Sequence, residues 1–350
     1  MAGHLPDPVE RLFDPLSCVM VPLVDGLARH ALERLGAFEQ TRRINGVPIH
    51  YYLIPCRRMA PLPVLFIHGM GDNAVTWSLV APLVARRHDA FLIDLPGYGL
   101  SGLPPGKSFA SIADMTDIVG AFVRDVIARP ALLVGNSMGG WIAVRVAETY
   151  PDMVRGVVLM NAGGALLNGH RSWDPFIELL SPADAHQARQ VARMVFGAIP
   201  PPVRELSARG MINLFARQVV RDFISATDEP DFLKADELHR VPTPTALLWG
   251  ERDRFLPPGS FEFFHNHLSQ PYTRVLKYCG HLPQRERPLA TARFIKDFAQ
   301  RIAPVSQGIE QREPVTRSVI RNLHRLRVPV PLSPVRGNRL TRIDLKRSRF

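Results

Sequence analysis

The composition of this 350-residue chain excludes several classes of protein. Hydrophobic residues make up 46% of the sequence, which suits a large folded core rather than a disordered or fibrous chain. The formal net charge is +11, but residues 301–350 hold 12 Lys+Arg against 3 Asp+Glu, which leaves 31 basic and 29 acidic residues elsewhere. Because the main body is nearly neutral, we do not expect it to bind nucleic acid over a broad surface.

The cysteine content and the N-terminal sequence indicate in which cellular compartment the protein is expected. The three cysteines (Cys18, Cys56 and Cys279) are too few for a disulfide scaffold and are not spaced like zinc ligands. The first residues lack the positive segment of a secretory signal, and the apolar run at 16–24 is short and interrupted by Pro22. We therefore expect a cytoplasmic protein without a membrane-spanning helix.

The first half of the chain alternates between strand and helix patterns. Residues 1–40 predict an N-terminal helical extension, and Asn45-Gly46 marks the turn of a hairpin at 42–54. Wholly apolar runs such as 64–67 are typical of strands covered on both faces. The predicted elements after the hairpin are strand 64–67, helix 76–87, strand 90–93, helix 111–128, strand 131–134, helix 140–150 and strand 154–160.

The alternation stops at residues 163–240, which show helical patterns without a convincing strand. It resumes with strand 245–249, helix 258–268, strand 273–276 and helix 286–302. This order predicts an α/β fold: a mostly parallel sheet with helices on both faces and an inserted helical cap. The core is then 41–162 and 241–302, the cap is 163–240, and 303–350 is a basic, largely disordered tail.

The pentapeptide Gly135-Asn136-Ser137-Met138-Gly139 lies between a predicted strand and a predicted helix. In this context G-x-S-x-G is typical of a sharp turn that exposes a nucleophilic serine at the top of a sheet. The alternative is a glycine-rich turn with an incidental serine. The flanking strand and helix favour Ser137 as a nucleophile.

A serine hydroxyl needs a base and a group that orients the base. Asp253 follows strand 245–249 and His281 follows strand 273–276, where ligands bind in open α/β sheets. The order Ser137, Asp253, His281 matches this serine-hydrolase layout. Each residue alone could be an ordinary surface group, and Glu251 is the rival of Asp253. The three together predict a catalytic triad.

Acyl transfer also needs donors for the oxyanion that forms in the transition state. Met138, directly after the nucleophile, is expected to supply one backbone N–H. The second is expected from Met70, in the loop His68-Gly69-Met70-Gly71 after the first buried strand. His68 precedes the glycines and is interpreted as a residue that holds this loop rather than as a base.

Four motifs together resemble the α/β-hydrolase fold family, over roughly residues 42–302. The motifs are His68-Gly69-x-Gly71, the segment 135–140, Trp249-Gly250-x-x-Asp253 and Gly280-His281. The serine turn is similar to those of monoacylglycerol lipases, esterases and hydrolases that split carbon–carbon bonds in ring-cleavage products. An aspartate nucleophile would imply a dehalogenase or epoxide hydrolase, so a serine argues against both, whereas a haloperoxidase-like assignment stays open. The resemblance implies a two-step acyl-enzyme mechanism that needs no metal or cofactor.

The cap is expected to set the substrate. It is rich in flexible and aromatic side chains, which favour an apolar acyl pocket. We therefore expect a carboxylic ester with an apolar acyl group; a carbon–carbon bond hydrolase and a binding protein on a hydrolase fold are the alternatives. The side chains concerned are Leu166, Leu167, Trp173, Phe176, Ile177, Met194, Phe196, Met211, Leu214 and Phe215.

The tail has its own pattern. On a helical wheel Arg317, Arg321 and Arg325 fall opposite an apolar side that includes Ile320 and Leu323. Such a basic amphipathic helix suits an anionic membrane surface. The ordinary alternative is that the tail is a solvated appendage, so peripheral membrane contact stays open. Nucleic acid is the least expected partner, because the tail lacks aromatic side chains apart from Phe350.

Overall fold

The structure, a computed structural model, describes residues 23–56, 62–167, 185–197, 215 and 217–303. Eight strands in this part of the chain form one sheet in the order β1-β2-β4-β3-β5-β6-β7-β8. The strands are β1 (Phe38–Ile44), β2 (Val47–Ile54), β3 (Val64–Ile67), β4 (Ala90–Ile93), β5 (Ala131–Ser137), β6 (Val154–Ala162), β7 (Thr245–Gly250) and β8 (Tyr272–Leu276).

Helices connect the strands. Short 3-10 turns lie at Ala74–Trp77, Pro151–Met153 and Glu229–Asp231, and a π-helical turn at Val123–Ile127. The α-helices are α1 (23–34), α2 (Ala81–Val84), α3 (Ile112–Phe122), α4 (Met138–Thr149), α5 (Ala185–Val195), α6 (Gln218–Ala226), α7 (Ala235–His239), α8 (Ser260–His267), α9 (Pro283–Glu286) and α10 (Pro288–Ile302).

The sheet is antiparallel at one edge and parallel elsewhere. β2 pairs in antiparallel fashion with β1 and β4, whereas every pairing from β4 through β3, β5, β6 and β7 to β8 is parallel. Because the parallel strands share one direction, their carboxyl ends meet at one edge of the sheet. The loops after β3, β5, β6, β7 and β8 therefore gather there.

Side chains of the strands alternate between two hydrophobic clusters, one on each face of the sheet. In β3, Leu65 and Ile67 belong to the cluster that includes α3, α4 and α8, and Val64 and Phe66 belong to the cluster that includes α1, α2 and α10. All four are fully buried. This explains why the strand has no polar position, and it confirms the predicted parallel sheet with helices on both faces.

Several predicted helices are shorter than the sequence pattern indicates; the one predicted at 258–268, for example, spans only Ser260–His267. The helix predicted at 76–87 is replaced by the 3-10 turn Ala74–Trp77 and by α2, whose first turn contains Pro82. The helix predicted at 286–302 begins only at Pro288, because the residue before a proline avoids helical backbone. Arg287 accordingly has φ −136° and ψ 52°. The hairpin also starts earlier than predicted, at Phe38.

Helices α5, α6 and α7 lie in the chain between β6 and β7, where the cap is predicted. Part of this cap lies outside the described residues, as do residues 1–22 and 304–350 and therefore Cys18 and the basic tail. Within the ranges described, none of the helices has the length and apolarity needed to span a membrane. The cap residues predicted for the pocket that lie outside the description are Trp173, Phe176, Ile177, Met211 and Leu214.

Candidate active site

Ser137 ends β5 and directly precedes α4. The turn is so tight that only glycine fits two residues before and two residues after the serine. A Cβ atom on Gly135 would lie 2.2 Å from the Gly139 carbonyl oxygen, and one on Gly139 would lie 2.3 Å from the Ile67 carbonyl oxygen. Ser137 itself has φ 56° and ψ −124°. A non-glycine residue in this region carries about 1–3 kcal/mol of backbone strain, which the surrounding packing must hold in place.

His281 and Asp253, two of the three residues of the predicted triad, are in direct contact. His281 Nδ1 lies 2.9 Å from Asp253 Oδ2, and the two side chains are only 3% and 1% exposed. Glu251, the rival carboxylate, is exposed and accepts a hydrogen bond from Tyr278 N–H instead. The structure therefore pairs the histidine with Asp253.

The carboxylate of Asp253 is held on both oxygens. Asn161 Nδ2 donates to Oδ2 at 2.6 Å, and Phe255 N–H donates to Oδ1 at 2.9 Å. Burial alone would raise the pKa of Asp253, but His281, Asn161 and the Phe255 N–H together outweigh it and hold that pKa below its ordinary value. Asp253 is consequently an anion that can orient an imidazole and stabilise its charged form.

Asn161 is a site residue that the sequence analysis missed. It is fully buried at the carboxyl end of β6, with φ 43°, and its Oδ1 accepts the Gly250 N–H at 3.1 Å. Asparagine tolerates this left-handed backbone better than most residues. The available signal was a polar residue directly after the apolar run 157–160, at the edge where the loops meet.

Asn136 connects the serine turn to the histidine loop. Its Nδ2 donates to the carbonyl oxygens of His281 (3.0 Å) and Met160 (2.9 Å), while its Oδ1 accepts from Gln284 Nε2 at 2.9 Å. The residue before Ser137 thus fixes the backbone of His281. Among the described residues, no hydrogen bond joins Ser137 Oγ to His281 directly.

The loop after β3 lies against the serine. A Cβ atom on Gly69 would lie 3.0 Å from Ser137 Cβ and 3.5 Å from its Oγ, so the loop backbone contacts the nucleophile. In the part of the chain that the structure describes, no backbone acceptor takes the N–H of Met70. Met138 is the first residue of α4, so its N–H has no partner within the helix.

His68 holds this loop in place. Its Nε2 accepts the Leu95 N–H at 3.0 Å, and its Nδ1 lies 2.8 Å from the Gly69 carbonyl oxygen. The residue is fully buried. Both ring nitrogens are therefore engaged, which matches the interpretation of His68 as a structural residue rather than a base.

An aromatic side chain packs beside His281. The Phe255 ring centroid lies 4.7 Å from that of His281. No three His, Cys, Asp or Glu side chains within the described ranges are grouped so as to hold a metal ion. Burial raises the pKa of the neighbouring Cys279 thiol to about 12, which keeps it unreactive. Partly buried apolar residues that pack against the hydrophobic cluster containing Phe255 include Met70, Leu166, Leu167, Met194 and Leu282.

Known proteins share this architecture. A monoacylglycerol lipase from Mus musculus is 23% identical over 67% of this chain and 74% of its own length. A 2-hydroxy-6-oxo-6-(2'-aminophenyl)hexa-2,4-dienoic acid hydrolase from Metapseudomonas resinovorans is 23% identical over 70% and 87%. The crystal structure of a membrane phospholipase A superposes with a TM-score of 0.68 at 24% identity, covering 83% of this chain and 93% of the other.

The family model described as "Alpha/beta hydrolase family" matches residues 64–294, from β3 into α10. The matched region contains the serine turn, the Asp253–His281 pair and the helices between β6 and β7. This is well over half of the chain. The chain therefore belongs to the α/β-hydrolase family, and it is a hydrolase by that membership.

Proposed function

We propose that this protein is a serine hydrolase that cleaves carboxylic esters with an apolar acyl group, using Ser137, Asp253 and His281. The observation that carries the proposal is the buried His281–Asp253 contact of 2.9 Å at the sheet edge where Ser137 occupies its strained turn. A nucleophile, a base and an orienting carboxylate are the three groups that this chemistry needs.

In the proposed mechanism, His281 accepts the proton of Ser137 Oγ as the oxygen attacks the ester carbonyl. The N–H groups of Met70 and Met138 stabilise the oxyanion, and His281 then protonates the departing alcohol. Water, deprotonated by His281, attacks the acyl-enzyme and releases the acid. Asp253 keeps Nδ1 of His281 protonated, so Nε2 is the atom that exchanges protons with serine, alcohol and water.

We infer the apolar acyl group from the hydrophobic cluster to which Met138, the residue after the serine, belongs. Met70, Leu167 and Leu282 are partly buried apolar residues of the core cluster that also contains Met138 and Phe255. An alkyl chain placed among them would be removed from water, which is worth about 0.8 kcal/mol per methylene. The monoacylglycerol lipase relative supports a lipid-like ester as the substrate class.

Hydrolysis of p-nitrophenyl esters with acyl chains of two to about twelve carbons tests the proposal. We expect kcat/KM to rise with chain length before it levels off, because longer chains bury more apolar surface. Ser137→Ala should abolish turnover at every length. A folded Ser137→Ala variant with full activity would overturn the assignment of the nucleophile.

A second candidate is hydrolysis of a carbon–carbon bond. It is favoured by the ring-cleavage hydrolase relative, which is as similar in sequence as the lipase. The two reactions use the same three residues, so substrates have to separate them. Turnover of a 2-hydroxy-6-oxo-dienoate with little activity on esters would select this candidate over the first.

We also propose peripheral membrane contact through the basic tail at 303–350, where arginines alternate with apolar residues in sequence. The membrane phospholipase among the solved structures supports this reasoning by analogy. Flotation with anionic vesicles should be lost when residues 303–350 are removed. Equal flotation of the full chain and the shortened chain would contradict the proposal.

A further inference from the structure

The end of cap helix α5 lies across the two loops that carry His281 and Asp253. We name residues 194–197 the cap anchor. The Val195 carbonyl oxygen accepts the His281 N–H at 2.7 Å, and the Met194 carbonyl oxygen accepts the Arg254 N–H at 3.2 Å. The backbone of each loop is therefore bonded to the cap anchor at, or next to, the residue that the proposed chemistry uses.

Glu286 of α9 bridges the cap anchor and the histidine loop. One oxygen, Oε1, accepts the Gly280 N–H at 3.0 Å, and the other, Oε2, accepts the Gly197 N–H at 2.9 Å. Hydrogen bonds to a charged acceptor are about twice as strong as those between neutral groups. The single carboxylate of Glu286 thus connects Gly280, which precedes His281, to Gly197 at the end of the cap anchor.

At the Glu286 bridge, the backbones of Gly197 and Gly280 are packed so closely that no side-chain atom fits between them. A Cβ atom on Gly197 would lie 2.5 Å from the Gly280 nitrogen, and one on Gly280 would lie 2.3 Å from the Val195 carbonyl oxygen. On its other side Gly280 is equally close to Gly250, where a Cβ atom would lie 2.0 Å from the Gly280 carbonyl oxygen. Because backbone contacts backbone on both sides, a shift of the cap anchor must move the histidine loop.

We propose that Glu286 is a positioning residue for His281, which holds the histidine loop against the cap anchor. Asp253 fixes the orientation of the imidazole, but the position of the ring relative to Ser137 also depends on where the His281 backbone lies. Proton transfer is sensitive to displacements of about 1 Å, which can cost 10²-fold in rate. This inference rests on the proposed function, since it assigns His281 as the base.

Glu286→Gln tests the inference. Glutamine keeps the shape of the side chain, but only one of its two terminal atoms accepts a hydrogen bond, so one of the two N–H groups loses its partner. We expect kcat for p-nitrophenyl acetate to fall about 10- to 100-fold, with KM changed less than about twofold, because the short acyl group is too small to depend on the cap. Active enzyme is counted by fluorophosphonate titration.

Glu251→Gln is the matched control. Glu251 also accepts a backbone N–H of the histidine loop, from Tyr278 at 3.2 Å, but it does so at the exposed surface. We expect wild-type kcat for this variant. Wild-type kcat in folded Glu286→Gln, or an equal loss in Glu251→Gln, would overturn the role of Glu286.

Gly197→Ala tests the same contact from the cap side, and it also serves if Glu286→Gln does not fold. We expect a similar loss of kcat, and the double variant should be no slower than the slower single variant, because both changes disrupt one contact. Losses that multiply would overturn the inference. A wild type that neither hydrolyses esters nor reacts with the fluorophosphonate would overturn the proposed function as well, whereas an active wild type unaffected by Glu286→Gln would overturn this inference alone.

Discussion

Asn161→Asp isolates the electrostatic support of the proposed triad with little change of shape. Aspartate keeps an oxygen for the Gly250 N–H and, like asparagine, tolerates the φ of 43°. The exchange replaces the amide nitrogen, which lies 2.6 Å from Asp253 Oδ2, by a carboxylate oxygen. The variant therefore removes one donor and adds one negative charge at the buried side of Asp253.

The lost hydrogen bond is worth about 1.5–3 kcal/mol, because its acceptor is charged. Two unit charges 2.6 Å apart would repel by about 6 kcal/mol at an effective dielectric constant of 20, which is an upper bound because the pair can take up a proton instead. The pKa of the carboxylate pair therefore rises above the ordinary value. If the transition state is destabilised by the energy of the lost Asn161–Asp253 hydrogen bond, kcat at pH 8 falls about 10- to 100-fold.

Stability should change with pH in a defined direction. The folded pKa of Asp253 in the wild type lies below its ordinary value, so its ionisation contributes stability above about pH 4 that is lost as pH falls. In Asn161→Asp the folded pKa is raised, so stability is lost as pH rises through it. The difference in unfolding free energy between the two proteins should consequently grow from pH 4 to pH 7.

Urea unfolding at several pH values and ester hydrolysis at pH 8 measure these effects. Gln218→Glu is the control: it makes the same exchange beside Asp222, where the amide donates to a carboxylate at the exposed surface. We expect little change in that variant. Wild-type kcat in Asn161→Asp, together with a stability difference that does not depend on pH, would show that Asn161 does not support Asp253 electrostatically.

Three further predictions concern the serine turn and a second buried carboxylate. Ser137→Gly should be more stable than Ser137→Ala by about 1 kcal/mol in urea unfolding, because a φ of 56° suits glycine; equal midpoints would argue against backbone strain. Gly139→Ala should lose about 3 kcal/mol of stability, or fail to fold, because its Cβ would lie 2.3 Å from the Ile67 carbonyl oxygen. Burial would raise the pKa of Asp94, but its hydrogen bond to His50 and its other partners keep that pKa below the ordinary value. Asp94→Asn should thus lose more stability at pH 7 than at pH 3, and an equal loss at both would contradict this.

Local patterns were sufficient for the parallel sheet, and they predict three residues of the candidate site. Fully apolar runs such as 64–67 predict buried parallel strands, and G-x-S-x-G between strand and helix predicts the turn at Ser137. Asp253 and His281 were found because each follows a strand that ends at the same edge. The contact between them agrees with the layout that the sequence implies.

The supporting residues could not be predicted, because their roles depend on contacts that are distant in sequence. Asn136 contacts His281 across 145 positions, and Asn161 contacts Asp253 across 92. Glu286 lies at the end of a short helix and contacts Gly197 across 89 positions. A polar residue after a strand is a weak signal until the fold shows which loops meet.

The boundaries of two helices were predicted wrongly, for a reason that is local in sequence. Proline at 82 and at 288 falls within apolar spacing that suits a helix, so periodicity alone extended both helices too far. The backbone at Arg287 shows the competing effect, since a residue before proline is driven out of helical geometry. Proline therefore outweighed the hydrophobic pattern at both positions.

Labelling with a fluorophosphonate, wild type beside Ser137→Ala, tests whether Ser137 is an activated nucleophile. The reagent reacts with a serine only where a base and oxyanion donors are assembled around it. We expect rapid labelling of the wild type and none of Ser137→Ala, with both proteins equally folded by circular dichroism. Labelling that persists in Ser137→Ala, or a folded wild type that does not react, would contradict the assignment of Ser137, Asp253 and His281 as the catalytic residues.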